Sequence, residues 1–486
     1  MRAAYTQWTR HSGDYWGGFA AMLVALPASV AFGVTVYAAI SPSYAAFGAL
    51  AGVVGAACLG LIASAMGGTD RLISAPCAPA AALLTAFTLN AIAHGVANET
   101  VVLMLTIMGI LAGVIQLLMG FLGVGKLIRY VPFPVVSGYM TAVGLIIIGS
   151  QLPKLLGAPH STAWQTVLMM PNLWDWRGVS VGAVTLFAMM FGDRLTTKVP
   201  STILAIAIGI LTYGCLAIGD PTLRDIDGNE LVIGPLGITG KGYGEVIAQR
   251  WQQISHLTSG EVAQLIGGAL TLAVLLSIDT LKTCVVLDQI TRSRHDSNRE
   301  LVAQGIANLA SSAIGGMPGA GTMGASMVNL SSGGKTRLSG MATGVLTVLA
   351  ALLLGSFVAW IPIAALSGVL IAVGIRMIDT SSLRYLESRT TVLDFAVVVV
   401  VIAVALTEDL VAASATGVVL SICLFLREQV GGAVIRRVSR VGERTSVCHR
   451  REAALQQLLD RGSRSVIYEL QGSLFFGTAY KLYRAL

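Results

Sequence analysis

Leu72-Ile73-Ser74-Ala75-Pro76-Cys77-Ala78-Pro79 and Gly315-Gly316-Met317-Pro318-Gly319-Ala320-Gly321-Thr322 interrupt two apolar runs of this chain in the same way. Each puts Pro or Gly where a membrane helix would otherwise run through. Bare backbone polar groups are too costly to leave facing lipid, so such a break is buried in protein or lines a cavity. Interrupted helices at matching positions of two halves mark a site made from half-helix N-termini near the bilayer midplane.

The composition places most of the chain in lipid. Hydrophobic residues make up 55% and charged residues 12% of 486 residues, and mean hydropathy is +0.75. A soluble domain carries about 25% charged residues. The first apolar run follows Arg2, Arg10 and His11, contains a proline and is succeeded by many similar runs, so it reads as mature protein rather than a cleaved leader. Six cysteines show no CxxC spacing, and five sit in apolar runs, which excludes a disulfide framework or a zinc site from the reading.

Apolar runs fall near 16–37, 43–66, 72–93, 101–122, 134–150, 178–192 and 200–218, and again near 261–287, 300–315, 317–330, 338–358, 363–378, 392–406 and 410–426. The expected fold is all-α and polytopic, with fourteen spans as two sevens separated by a polar connector. The expected organisation is a cytoplasmic N-terminus 1–15, a first transmembrane repeat 16–218, an extracytoplasmic connector 219–260, a second repeat 261–427 and a soluble segment 428–486. Seven is odd, so the second half enters the membrane upside down, an inverted repeat whose third spans, 3 and 10, are the broken ones.

Basic residues set the orientation. With the N-terminus cytoplasmic, inner loops hold Arg71, Lys126, Arg129, Arg194, Lys198, Arg292, Arg294, Arg299, Lys335, Arg337, Arg384 and Arg389; outer loops hold Lys154, Arg177, Arg224, Lys241 and Arg250. Both termini are therefore expected on the cytoplasmic side of the plasma (inner) membrane. The net charge of +7 reads as membrane orientation, with no nucleic-acid partner.

Two half-helices meeting N-terminus to N-terminus offer unpaired N–H groups and about half a positive charge each, an anion site that needs no arginine. A bulky residue at Ala320 or Gly321 is expected to shield those groups without unfolding the chain. Asp279, within Ser277-Ile278-Asp279-Thr280-Leu281-Lys282-Thr283, is the acid most plainly set inside an apolar run, and such a residue is a functional candidate by default. Thr283 stands one turn away on the same face. Carboxylate, hydroxyl and freed carbonyls suit a small cation; the acid alone could carry a proton; and Lys282 at i+3 could instead be its salt-bridge partner. Gly334-Lys335-Thr336 ends like a phosphate-binding loop, but Asn329 stands where the first glycine belongs, and a cytoplasmic turn is expected. No nucleophile–base arrangement suggests an enzyme.

Specific motifs carry a family resemblance. Gly13-Asp14-Tyr15-Trp16-Gly17-Gly18-Phe19 with Leu26-Pro27 and Ala31-Phe32-Gly33, then Gly68-Thr69-Asp70-Arg71-Leu72-Ile73-Ser74-Ala75-Pro76, then Tyr130-Val131-Pro132-Phe133-Pro134 through Gly138-Tyr139, resemble the first, third and fifth spans of SulP anion transporters, the sulfate permease or solute-carrier-26 family. Asn298-Arg299-Glu300-Leu301, Gly315-Gly316-Met317-Pro318 and Thr336-Arg337-Leu338-Ser339-Gly340 resemble its ninth to eleventh spans. The resemblance implies core and gate domains and a homodimer. Within the family, the run around Asp279 and Thr283 with Gly319-Ala320-Gly321-Thr322-Met323 is most similar to sodium-dependent bicarbonate transporters, although Lys282 beside the acid departs from that pattern.

By that resemblance Na⁺ is held at Asp279, Thr283, Gly321 and Thr322, with Thr69 contributing, and no other cofactor is expected. The anion lies among Ala75, Pro76, Cys77, Ala320, Gly321, Thr322 and Met323, with Phe32 as a wall. The expected activity is secondary active transport of a small inorganic oxyanion, bicarbonate ahead of sulfate, coupled to Na⁺ or H⁺ by alternating access. An uncoupled channel or exchanger, or a sulfate:proton symporter, is the alternative. After Arg427 hydropathy collapses; Ser465–Leu470 alternates like a strand and Gly472–Gly477 looks like the start of a STAS domain cut short at Leu486.

Overall fold

A computed structural model describes residues 2–126, 133–158, 164–195, 201–225, 259–387 and 392–407, and shorter pieces elsewhere, among them 229, 231–234, 435–440 and 466–470. The chain forms two compact units, Met1–Ala415 and Thr416–Leu486.

The first unit is helical. Its main helices are α1 (Arg2–Ala38), α2 (Ala45–Cys58), α3 (Ala78–Ala93), α4 (Asn98–Phe121), α5 (Phe133–Leu155), α6 (Trp176–Leu195), α7 (Ser201–Gly219), α8 (Ser259–Thr291), α9 (Ser297–Ala313), α10 (Met323–Ser331), α11 (Arg337–Ala359), α12 (Ile363–Met377) and α13 (Val392–Thr407). Two strands accompany them, β1 (Ser74–Pro76) and β2 (Gly319–Gly321). A helix stands at each expected span up to 392–406; most of the run 410–426 lies outside the described residues. Among the described residues, seven helices are long and apolar enough to cross a membrane, and four shorter ones are apolar. α10 has nine residues, roughly 14 Å at 1.5 Å per residue, so it reaches only half-way through a 30 Å core. α3 has 16 residues and is the longer of the two interrupted spans.

Small residues let the helices touch backbone to backbone. A Cβ on Gly33 of α1 would lie 1.9 Å from the Gly48 carbonyl oxygen of α2, and one on Gly52 would lie 2.1 Å from that of Ser29. Such close approach is how helices associate where lipid removes the hydrophobic drive. α2 runs through a π-helical turn, Leu59–Ala63, before ending at Met66.

Packing sorts the helices into two groups. α5 lies against α12 and α13, α12 against α6 and α7, and α6 against α7. The remaining helices pack among themselves, and the exchange between halves is reciprocal: α1 and α2 lie on α11, whereas α8 and α9 lie on α4. The groups meet where α3 touches α5 and where α1 touches α12 and α7.

Connectors gather at two ends. At one, Arg337 pairs with Asp70 at 3.0 Å, Arg299 Nε donates to the Met66 carbonyl, and Asp14 accepts from the amides of Lys335 (2.7 Å) and Thr336 (2.9 Å) and from the Thr336 hydroxyl (2.8 Å). The turn that ends like a phosphate loop thus cradles an internal carboxylate. At the other end Arg177 pairs with Asp220, and residues 231–234 hydrogen-bond across to 359–363. The Thr222 hydroxyl, its amide and Arg177 hold the Asp220 carboxyl below the usual carboxylate range.

In the second unit β3 (Ile435–Arg440) pairs antiparallel with β4 (Val466–Leu470). The strand expected at 465–470 is present; Gly472–Gly477 lies outside the described residues.

Candidate functional site

β1 and β2 pair antiparallel, with Ser74 opposite Gly321, Ala75 opposite Ala320 and Pro76 opposite Gly319. α3 starts directly after β1 with Cys77 as N-cap, and α10 directly after β2 with Thr322 as N-cap. The two helices leave opposite ends of a three-residue ladder, about 7–10 Å long at 3.3 Å per residue. Their positive N-terminal ends therefore converge on one short stretch of backbone. The ladder is buried along its whole length.

Side chains from α8, α9 and α10 hold both breaks. Asn308 on α9 is fully buried; its Oδ1 accepts from Gly319 N–H at 2.8 Å, and its Nδ2 donates to the Gly319 carbonyl (3.0 Å) and to Gln116 (2.7 Å). Gln304 donates to Ser74 Oγ, and Ser326 on α10 accepts from Ile73 N–H at 2.9 Å. Glu300, 1% exposed, accepts from Gly68 N–H at 2.8 Å and fixes the chain on its way into β1.

Two of the amides expected to face the anion are engaged within the protein. Gly321 N–H donates to Thr280 Oγ1 at 3.0 Å, and Thr322 N–H donates to the Ile73 carbonyl at 2.8 Å. Ala320 lies within the ladder and is fully buried. The donors without an intrahelical acceptor are therefore the first-turn amides of α10, at Met323, Gly324 and Ala325. Gly324 is exposed, and a Cβ there would meet nothing within 4 Å, so this turn opens onto free space. In α3 Pro79 has no N–H; Ala78 and Ala80 supply the amides, with those of Ala80 and Ala320 beside the Cys77 thiol. Blocking groups at Ala320 or Gly321 would strike packed structure: a Cβ on Gly321 falls 2.8 Å from Leu72. Phe32 is buried on α1, which packs on both β1 and α10.

The expected cation ligands come together only in part. Asp279 Oδ1 lies 3.0 Å from Lys282 Nζ, the i+3 partner, with side-chain exposures of 15% and 41%. Thr283 Oγ1 donates to the carbonyls of both Gly321 and Asp279 at 3.0 Å, tying α8 to β2. Thr322 Oγ1 donates to the Ile73 carbonyl. Thr69 is engaged elsewhere, with Cys284 Sγ at 3.3 Å and Glu300. A small cation joining Asp279, Thr283 and Gly321 would compete with Lys282 for the carboxylate.

Thr280 and Asn308 lie in motifs that the sequence singles out, but the sequence alone gives neither them nor Gly324 a role at the ladder. Thr280 precedes Thr283 by three residues on the same helical face, a signal available in principle. Gly324 and Asn308 acquire their roles from long-range pairing.

A family profile described as sulfate permease family matches residues 12–401. Two bicarbonate transporters named BicA are similar over 97% of this chain: one from Picosynechococcus, 29% identical over 80% of its own length, and one from Synechocystis, 30% identical over 79%. A putative sulfate transporter of Bacillus subtilis, YvdB, is 25% identical over 97% of this chain and 82% of its own. The solved transmembrane domain of a cyanobacterial BicA superposes with TM-score 0.68 and 28% identity, covering 85% of this chain and 98% of that one. Murine solute carrier 26 member A9 matches with TM-score 0.67 at 18% identity, covering 88% and 70%; this likeness concerns the fold alone.

Proposed function

Because this chain belongs to the sulfate permease family, we propose that it moves a small inorganic oxyanion, bicarbonate ahead of sulfate, by alternating exposure of the β1–β2 site, with Asp279 as the group that couples anion movement to Na⁺ or H⁺. It is a multi-pass anion transporter of that family and not an enzyme. The carrying observation is the convergence of the first turns of α3 and α10 on one ladder, with open space at Gly324 and Asp279 on the neighbouring helix. Backbone amides and helix dipoles attract a small oxyanion without a fixed cation, so it can be released as readily as it is bound.

Bicarbonate comes first because two relatives so named align along almost the whole chain. The reciprocal packing of α1 and α2 on α11, and of α8 and α9 on α4, supports the inverted repeat. The two helix groups support a moving core against a gate, with the site at their boundary. A homodimer, a STAS domain beginning in the second unit, and a plasma-membrane location with both termini cytoplasmic belong to the same proposal.

One observation favours a second reading. Lys282 already neutralises Asp279, which suits an uncoupled exchanger. Uptake of radiolabelled bicarbonate and sulfate into proteoliposomes, under an imposed Na⁺ or H⁺ gradient or none, separates the two. Saturable uptake driven by either gradient supports coupling. Equal flux with and without gradients supports the exchanger, and no flux of any oxyanion overturns both.

A further inference from the structure

α5 presents two faces with different work. On one, Ser137 Oγ donates to Asp379 Oδ2 at 2.6 Å, Thr141 Oγ1 accepts from Asp379 N–H at 3.1 Å, and Gly138 lies against the Val398 backbone of α13. These contacts hold α5 within its own helix group. The other face carries Val135, Tyr139, Ala142 and Val143 at helical spacing, all buried. Tyr139 is 4% exposed, on the helix that touches α3 across the boundary between the groups. Its phenol lies within electrostatic range of both Cys77, the N-cap of α3, and Asp279.

The Tyr139 hydroxyl has no hydrogen-bond partner among the described residues. The polar side chains around the ladder are committed to one another: Thr280 and Thr283 to Gly321, Thr322 to Ile73, and Lys282 to Asp279. A buried hydroxyl left unpaired is costly, and a Tyr on a packed apolar stripe would be no worse packed as Phe. The hydroxyl at this position therefore points to a ligand.

Resting on the transport reading above, we propose that the Tyr139 hydroxyl is the anion ligand supplied by the α5–α12–α13 group, and that it favours protonated oxyanions over fully deprotonated ones. A phenol both donates and accepts. It can donate to any oxyanion, and it can also accept the O–H that bicarbonate carries and sulfate lacks. A site that hydrogen-bonds a substrate O–H discriminates against analogues without it. Because Tyr139 belongs to the group opposite Cys77 and Asp279, its grip changes as the groups move.

Tyr139→Phe in the full chain, reconstituted beside wild type, tests this with radiolabelled bicarbonate and sulfate. Losing one hydrogen bond to a charged ligand should raise KM for bicarbonate about tenfold or more, with a smaller rise for sulfate and unchanged cation dependence. The anion-free melting temperature should be unchanged or higher, because an unpaired hydroxyl has gone, and the stabilisation given by added bicarbonate should shrink. Wild-type KM for both anions with a full bicarbonate-induced stabilisation overturns the Tyr139 role and leaves the transport reading standing. A lower anion-free melting temperature with unchanged KM assigns Tyr139 to packing and likewise overturns it. Wild-type protein that neither binds nor moves any oxyanion overturns the reading beneath it.

Discussion

Asp279 and Lys282 form an ion pair that is not sealed. Lys282 is 41% exposed on its side chain, so Asp279→Asn leaves a cation that can turn to the open side. The stability cost should then be about 1 kcal/mol or less, against roughly 3–5 kcal/mol for breaking a sealed pair. A melting temperature within a few degrees of wild type, together with loss of cation-driven uptake, is the expected result. Lys282→Leu should have the opposite signature: the carboxylate, 15% exposed, loses its counter-charge and must recruit Na⁺ or a proton. Uptake should become steeply dependent on Na⁺ concentration or pH. An Asp279→Asn protein with wild-type cation dependence would remove this residue from coupling. Gly324 carries a second prediction at the same scale. A Leu there enters open space, so folding should survive while anion affinity falls at least tenfold; Ala320→Leu, inside the buried ladder, should instead destabilise. Thermal shift with and without bicarbonate distinguishes the two.

Among elements, α9 does more than its low hydropathy suggests. Asp296 caps it by accepting from the amides of Asn298 and Arg299, and Glu300, Gln304 and Asn308 then recur every four residues along the face that holds the breaks. Asn308→Ala removes three hydrogen bonds and leaves both polar groups of Gly319 buried. At about 1–3 kcal/mol per orphaned group, β2 should come loose and the melting temperature should drop clearly, whereas Asn308→Asp should keep the acceptor for Gly319 N–H. Equal stability of the Ala variant and wild type, by thermal unfolding in detergent, would deny α9 this role. The same element shows what could be read from residues alone. Pro and Gly at corresponding positions announced both interruptions, because those residues act on their own backbone. The starting points of the free amides depended on which residues paired in the ladder. Thr280 meeting Gly321, across 41 positions, leaves no periodic trace. Tyr139 was equally silent: an aromatic in an apolar helix reads as packing until its hydroxyl is found without a partner.

Across the first unit, Arg299, Lys335 and Arg337, from connectors expected inside, are tied together at one end, and Arg177, from a connector expected outside, is tied to Asp220 at the other. Arg337 with Asp70, Arg299 with Met66, and Asp14 with Lys335 and Thr336 tie the Arg/Lys-rich end together, each bridging one half to the other. Arg177 with Asp220, and residues 231–234 with 359–363, tie the opposite end. Positive connectors resist translocation, so the end with Asp14, Asp70 and Lys335 should face the cytoplasm. Single cysteines in a cysteine-free background test this. Met169→Cys, on the short helix between α5 and α6, replaces a side chain 82% exposed, and Thr222→Cys probes the same end. Both should react with a membrane-impermeant thiol reagent applied to right-side-out vesicles. Ser331→Cys and Lys335→Cys, exposed at the other end, should react only after the vesicles are opened. Labelling with the sides exchanged would invert the orientation while preserving the architecture. Labelling of all four from outside would break the two-ended arrangement, and the inverted repeat would fall with it.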